Sequence, residues 1–515
     1  MGKELILAYD LGTTGAKTTI FATDGAIVAS DYHPYPTYHP GPGWTEQDPE
    51  DWWGAIVSTT RGMLSKSNVN PADIAAIGFS GHMMGCLPID SEGIPLRRSL
   101  LHSDVRSAAQ AEHIAGVVGT EVVYRITGNL PDPHYPASKM AWIKETEPDI
   151  YERTAMFLQC KDYIAGRLTG SFRCSDLSDV SLSGLFDLRV RQWSDEMIEA
   201  AGISRGKLPE VCESSTIVGK VTHEAAGATG LVEGTPVVIG GGDGACATVG
   251  AGATEPGDAY NYIGSSSWVS AVSLQPGLDP EMRVFTLCDL DPNKYNILGT
   301  VQCAGGAYEW FADNLGTLEK EQEKQTGVSR FEMLDRLARG VAPGSNGLIF
   351  LPYLLGERAP IWDSNARGVY FGLGQEHTRA HMARAVLEGV GFALRSVLDV
   401  MTELDISASS VRVIGGGAQG QLWREILASI YNRPVLAPEC LREATSYGAA
   451  IAAGIGVGLY EDYSVARSIV KIKDEHKPDP RVARTYDKVY AIYRSLYPSL
   501  KEQFAQLAAL RQEGL

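Results

Sequence analysis

Asp10 stands at the mouth of a Gly/Thr loop inside LILAYDLGTTGAKTTIFATDGAIVAS, residues 5 to 30. Apolar runs flank the loop, Leu5 to Tyr9 and the β-branched Thr18 to Phe21, so the spacing predicts a strand, a turn and a second strand. Gly12 and Gly15 are expected to supply tight or positive-φ geometry. Backbone N–H groups left bare by glycine, the Thr13 and Thr14 hydroxyls and the Lys17 ammonium would then converge on one concavity suited to an anionic phosphate tail. A carboxylate beside phosphate is repelled unless a cation sits between them, which makes Asp10 a candidate Mg2+ ligand. An ordinary Gly-rich hairpin turn explains the same letters.

Other stretches place reactive residues on similar loops. Between Ile74 and Asp90 an apolar run enters Gly81-His82-Met83-Met84-Gly85 and leaves through CLPID, displaying His82, Met83 and Met84 at a loop tip where they suit ligand contact or simple turn filling. Asp104 and Arg106 close a further apolar run, as a surface ion pair or part of a site. VVIGGGDGACATVGAGA from Val237 puts Asp243, followed by Gly244, on a glycine-stripped turn between a short strand and a small-residue helix. That exposure makes Asp243 the candidate catalytic carboxylate, with a helix N-cap as the plainer alternative. Ala259 to Val272 echoes the opening hairpin with Gly264, Ser265 and Ser266 at its turn, which implies an internal duplication.

These loops need two scaffolds. The chain has 515 residues, long for one domain, and GATEPGDAY at 252 to 260 is the expected boundary. Residues 1–252 and 253–460 are read as two α/β domains and 461–515 as a helical segment packed on them. Met382, Val386, Val390, Ala393, Val397 and Met401 recur at helical spacing behind Thr378 as N-cap. Asp479-Pro480 opens a C-terminal helix expected to break at Pro498 and resume to about Leu510.

Bulk properties exclude whole classes. A net charge of -17 argues against nucleic acid. No apolar run reaches the roughly 18 residues of a membrane span, and the charged N-terminus does not resemble a signal peptide, so a cytoplasmic protein is expected. Eight scattered cysteines suggest small buried hydrophobes rather than a zinc site or disulfide scaffold. A homodimer is left open.

Gly415-x-Gly417-x-x-Gly420, with Glu439 about twenty residues on, satisfies the dinucleotide fingerprint, so an NAD-dependent dehydrogenase is a rival reading. It leaves the three other anion-friendly loops unexplained. A P-loop is excluded because no G-x-x-x-x-G-K-[ST] occurs. A non-catalytic nucleotide clamp needs neither Asp243 nor the loop at 81 to 85.

The ordered set DLGTTGAK, SGHMMG, SKMAW, GGGDGA, GSSS, GVYFGL and GGGAQGQLW resembles the FGGY family of carbohydrate kinases across almost the whole chain. Gly368, Tyr370, Gly372, Leu373, His381, Met382, Ala385, Val386, Leu387 and Glu388 match the family's second signature. Pro136, Lys139, Met140, Trp142, Ile143 and Glu145 match its first, which departs at His134 and Thr146. SGHMMG is similar to the xylulokinase loop, with His82-Met83-Met84 where that branch shows Gln-Met-His. The resemblance implies two actin-like, hexokinase-like (ribonuclease H-like) domains with a cleft between them, and ATP and Mg2+ as cofactors. The implied reaction is phosphorylation of a small-sugar hydroxyl, a ketopentose such as xylulose first, with another ketose, a polyol or an aldonate as alternatives. By the same resemblance Asp243 is the base, Asp10 lies near Mg2+, and Thr13, Thr14 and Lys17 meet the β/γ-phosphates with Gly12, Gly264, Ser265 and Ser266. Gly305, Glu309, Gly416, Gly417, Ala418 and Gln421 hold the nucleotide, while His82, Met83, Met84, Asp104, His134 and Gly244 line the sugar site.

Overall fold

The computed structural model describes residues 4–439 and 441–512. The chain forms two compact units, the first comprising residues 1–255, 272–297 and 443–470 and the second residues 256–271, 298–442 and 471–515.

The first unit is built on a mixed sheet in the order Ile217–Lys220, Pro236–Val238, Ile74–Gly81, Leu5–Leu11, Gly15–Ala22, Ile27–Pro34. Ile74–Gly81 is buried at every position, as a central strand with parallel neighbours must be, and it reads as an unbroken apolar run. Ile27–Pro34 is the solvent-facing edge. Leu7, Tyr9, Ile20, Trp52, Ile77 and Phe79 pack in one core beside this sheet.

The second unit repeats this plan. Ala259–Ile263 pairs antiparallel with Ser267–Ser273 and parallel with Val411–Ile414, as Leu5–Leu11 does with Gly15–Ala22 and Ile74–Gly81. In each unit the third strand has a further parallel neighbour, Pro236–Val238 or Val435–Pro438, which in turn carries an antiparallel one, Ile217–Lys220 or Ile472–His476. The duplication is therefore one of topology and extends well beyond the echoing hairpin.

Several expectations are corrected. Residues 443–470 belong to the first unit rather than to an uninterrupted second domain ending at 460. The reason is close backbone packing: a Cβ on Gly448 would lie 2.2 Å from the Cys246 carbonyl oxygen, and one on Gly78 would lie 2.4 Å from that of Ala449. Helix Ala444–Gly456 thus presses on helix Asp243–Gly250 and on strand Ile74–Gly81. Ile74–Gly81 and Leu87–Ile89 do not form a hairpin; the latter pairs with Met156–Leu158. Gly12 and Gly15 are not at positive φ. Gly15 is required instead by contact, because a Cβ there would meet the His33 carbonyl oxygen and the Tyr32 hydroxyl at 2.5 Å. The final helix runs unbroken from Pro480 to Gln512 with Pro498 inside it. Proline removes one backbone bond there, while Tyr486, Tyr490, Tyr493, Leu496 and Phe504 keep one face of the helix buried on both sides of it. Five cysteines are buried, Cys174 and Cys212 are half-buried, and Cys440 lies outside the described residues.

Candidate active site in the first unit and anion loops

Asp243 is the first residue of helix Asp243–Gly250, and the residue in the N-cap position is Gly242. Asp243 is therefore not the cap residue, although its carboxylate accepts from the Gly244 N–H. Gly241 and Gly242 pair with Ser80 and Gly81 on the central strand, which fixes the helix start against the sheet. Burial, followed by the charge of Asp10, pushes the Asp243 carboxyl up to about 7. A carboxylate poised there suits a general base at neutral pH.

The loop at 81 to 85 meets this residue. A Cβ on Gly242 would lie 2.6 Å from Met83 side-chain atoms, and the Met83 sulfur is 3.7 Å from such a position on Gly244, so Met83 covers the base turn. His82 is 2 % exposed, and neither ring nitrogen has a hydrogen-bond partner among the described residues. Its ring stands edge-on to Trp52, with centroids 5.7 Å apart, and 6.5 Å from His102. Burial, with His102 and Lys139 nearby, pushes its pKa down to about 3, so it offers one donor and one acceptor. Buried polar atoms left unpaired call for a partner, and a bound ligand would supply one. Met84 adopts φ 62 and points its carbonyl at Lys139.

Lys139 organises the surrounding segments. Its ammonium donates to the carbonyls of Met84 at 2.9 Å, Leu101 at 2.6 Å and His134 at 2.6 Å, which uses all three of its donors. Burial pushes it down to about 7. His134 itself is a third exposed and pairs with Asp132. Asp104 and Arg106 are a buried pair rather than a surface one. Both Asp104 oxygens are taken by Arg106 and by the N–H groups of Thr45 and Arg106, so Asp104 anchors the loop.

The opening turn is tied at both ends. Gly12 N–H donates to the Gly15 carbonyl at 3.1 Å, Gln47 donates to the Thr13 carbonyl at 2.7 Å, and Tyr35 donates to that of Gly12. The Thr14 hydroxyl meets Tyr32 at 3.2 Å, and Lys17 lies 4.0 Å from Glu443. Asp10 accepts from Thr445 at 2.6 Å, and burial raises its carboxyl above the usual range. Among the described residues there is no cluster of three or more metal-ligating side chains. One carboxylate completed by phosphate and water oxygens is how Mg2+ is commonly held, so Asp10 fits that ion.

The second unit contains a cavity of about 840 Å³ lined by Gly264, Ser265, Gly305, Glu309, Gly416, Gly417 and Gln421, all seven expected at a nucleotide. Ser266 and Ala418 do not line it; Ser266 closes the turn with its carbonyl, and Ala418 is fully buried beneath. The cavity also uses Tyr308, Phe331, Asp335, Arg336, Arg339 and Trp423, which sequence reasoning missed. Four of these lie in or beside helix Arg330–Arg339, whose polar face reads as an ordinary surface.

Glu439 follows strand Val435–Pro438 with its N–H on the Lys471 carbonyl, and the dehydrogenase reading gains no support from the relatives. Residues 5–250 match the N-terminal domain of the FGGY family of carbohydrate kinases and residues 259–457 its C-terminal domain. The chain is 33% identical over 496 residues to a xylulose kinase of Escherichia coli, covering 96% of this chain and 99% of that one. It is 31% identical to a gluconokinase of Bacillus subtilis, covering 99% and 98%. A crystal structure of a ligand-bound xylulose kinase from Lactobacillus acidophilus superposes with a TM-score of 0.90 at 26% identity, over 98% and 99% of the two chains. With both domain models matched in order along two α/β units, the chain belongs to the FGGY family of carbohydrate kinases and is a phosphotransferase.

Proposed function

We propose that the protein transfers the γ-phosphoryl group of MgATP to a hydroxyl of a small polyhydroxy substrate, with Asp243 as general base. The ketopentose D-xylulose is the first candidate, and the aldonate D-gluconate is the second. The observation that carries this reading is Asp243 itself, at the start of its helix but not its cap residue and pushed to about 7 by burial, with Met83 of the loop that bears the unpartnered His82 covering its turn. In the proposed step Asp243 takes the hydroxyl proton while that oxygen attacks the phosphorus in line. His82 orients the substrate through one donated and one accepted hydrogen bond, and Met83 shields the base turn from water. Mg2+ at Asp10 would neutralise phosphate charge, while Thr13, Thr14 and Lys17 orient the tail. The cavity of the second unit takes the nucleotide.

The unpartnered His82, with Met84 beside it, favours a substrate range that differs from that of relatives carrying Gln-Met-His. A thioether accepts hydrogen bonds weakly, so the wall at Met84 is more apolar and His82 supplies the polar contact. An ADP-release assay across D-xylulose, D-gluconate, polyols and deoxysugars, run on the unmodified protein and on Asp243→Asn, tests the proposal. The expected result is MgATP-dependent turnover with at least one sugar, reduced about 10²–10⁴-fold in the variant with MgATP binding retained. Near-unmodified turnover by Asp243→Asn removes Asp243 as base, and stabilisation of the protein by NAD but not by MgATP removes the kinase reading.

A further inference from the structure

A buried ionic cluster lies behind the base turn and outside the substrate-facing residues. Lys161, on helix Cys160–Thr169, is completely buried. Its ammonium lies 2.6 Å from Asp162, 2.8 Å from Asp176 and 3.0 Å from Asp179, all three carboxylates being 0 to 1% exposed at the side chain. Three carboxylates facing one ammonium is an expensive arrangement for a protein interior. Burial, opposed by the Lys161 ammonium, holds Asp179 well above the usual carboxylate range.

The cluster reaches the catalytic turn through one hydroxyl. Among the described residues the two-residue strand Gly241–Gly242 pairs only with Ile74–Gly81, which leaves the outward N–H of Gly242 without a strand partner there. Ser178 supplies one, its oxygen accepting from Gly242 N–H at 2.9 Å while its hydroxyl donates to Asp176 at 2.5 Å. The Asp176 carboxylate orients the hydroxyl so that its lone pairs face Gly242, and Lys161 holds that carboxylate in place. Asp176 also accepts from Ser178 N–H and from the Ser214 hydroxyl, both at 2.9 Å. The same helix start reaches the substrate loop, since the Gln159 side chain accepts from Gly85 N–H at 3.2 Å and donates to the Asp179 carbonyl at 3.1 Å.

We infer that Ser178, held by the Lys161–Asp176 ion pair, is a positioning residue for Asp243, fixing the peptide that immediately precedes the base. Asp243 is the next residue after Gly242, so any drift of this turn moves the carboxylate directly, and a displacement of about 1 Å at a reacting group costs on the order of a hundredfold in rate. This inference rests on the reading of Asp243 as base.

The experiment compares Ser178→Ala with Ser214→Ala. Both remove a buried hydroxyl from the same carboxylate, and only Ser178 touches Gly242. With D-xylulose and MgATP, or the best sugar of the panel in place of D-xylulose, Ser178→Ala is expected to lower kcat about 10- to 100-fold. Its KM values for sugar and MgATP stay within about twofold, because the binding residues are untouched. Ser214→Ala keeps kcat within about threefold, and Ser178→Thr, which retains the hydroxyl, restores most of the loss. If Ser178→Ala melts too low for assay, Ser178→Cys, a weaker acceptor, replaces it under the same criterion. Equal kcat losses in the two alanine variants, or a Ser178→Ala kcat within threefold of the unmodified protein, overturn the inference. Combining Ser178→Ala with Asp243→Asn separates the two readings. If Asp243→Asn alone leaves turnover intact, the base assignment fails; if it abolishes turnover while Ser178→Ala does not lower kcat, only the positioning role fails.

Discussion

Asp243 and Met84 show how much a single side chain settles once its backbone is in place. As the proposed base Asp243 must be ionised to accept a proton, and burial holds its carboxyl near 7. Turnover per unit of sugar is therefore expected to fall as pH drops through 7, to about a tenth of its plateau at pH 6. A kcat/KM profile measured from pH 5 to 9 checks this, and one that stays flat down to pH 5 contradicts it. Met84 occupies the left-handed region at φ 62, where histidine is tolerated better than most residues. Met84→His is thus expected to fold normally and add a hydrogen-bonding group at the wall, raising preference for D-xylulose over its deoxy analogues roughly tenfold. The ratio of kcat/KM values on the two sugars reads this directly; an unchanged ratio removes Met84 from the sugar wall. Both residues were legible in the sequence because glycines isolate them on short loops. Ser178 was not, since nothing in the letters says which hydroxyl will meet the outer edge of a two-residue strand.

Elements carry what the motifs could not express. The first family signature was legible as letters, yet the work of Lys139 emerges only when the loops bearing Met84, Leu101 and His134 are brought around one ammonium by helix Pro136–Thr146. Glu388 of the second signature is equally structural, accepting from Gly344 N–H, Ser345, Arg384 and Tyr486 within its own unit. Lys139→Met keeps the bulk of the stem but leaves the Met84 and His134 carbonyls without their donor, while that of Leu101 keeps the Asp104 N–H. Each unpaired buried acceptor costs about 1–3 kcal/mol, so destabilisation by about 2 kcal/mol or more is expected, together with a KM for sugar raised at least tenfold as the loops separate. KM for MgATP, whose proposed cavity lies in the other unit, is expected to stay unchanged. Urea unfolding with parallel kinetics tests this, and a variant with normal stability and normal sugar KM shows that the three loops are held by something else.

On the scale of the whole molecule, the duplicated topology was legible from two hairpins, Leu5 to Phe21 and Ala259 to Val272. The crossing of residues 443–470 into the first unit was not, because that assignment depends on Gly448 and Gly78 allowing backbones to touch. Stability integrates such buried sites, including ionisable ones. Glu357 in the second unit is buried; one oxygen accepts from the N–H groups of Gln302 and Arg358, and the other has no partner among the described residues. Burial raises its carboxyl from 4.5 to about 8. Between those values the folded chain keeps a proton that the unfolded chain has released. This group therefore weakens the fold as pH rises, by about 1.4 kcal/mol per pH unit at most, and the loss stops growing above about 8. Glutamine keeps the carbonyl oxygen for both N–H groups and carries no ionisation. The melting temperature of Glu357→Gln relative to the unmodified protein is accordingly expected to climb steadily from pH 5 to pH 8 and then level off. A difference that is constant or shrinks over that interval means that Glu357 is already ionised in the folded state, with a cation or an ordered water satisfying its second oxygen.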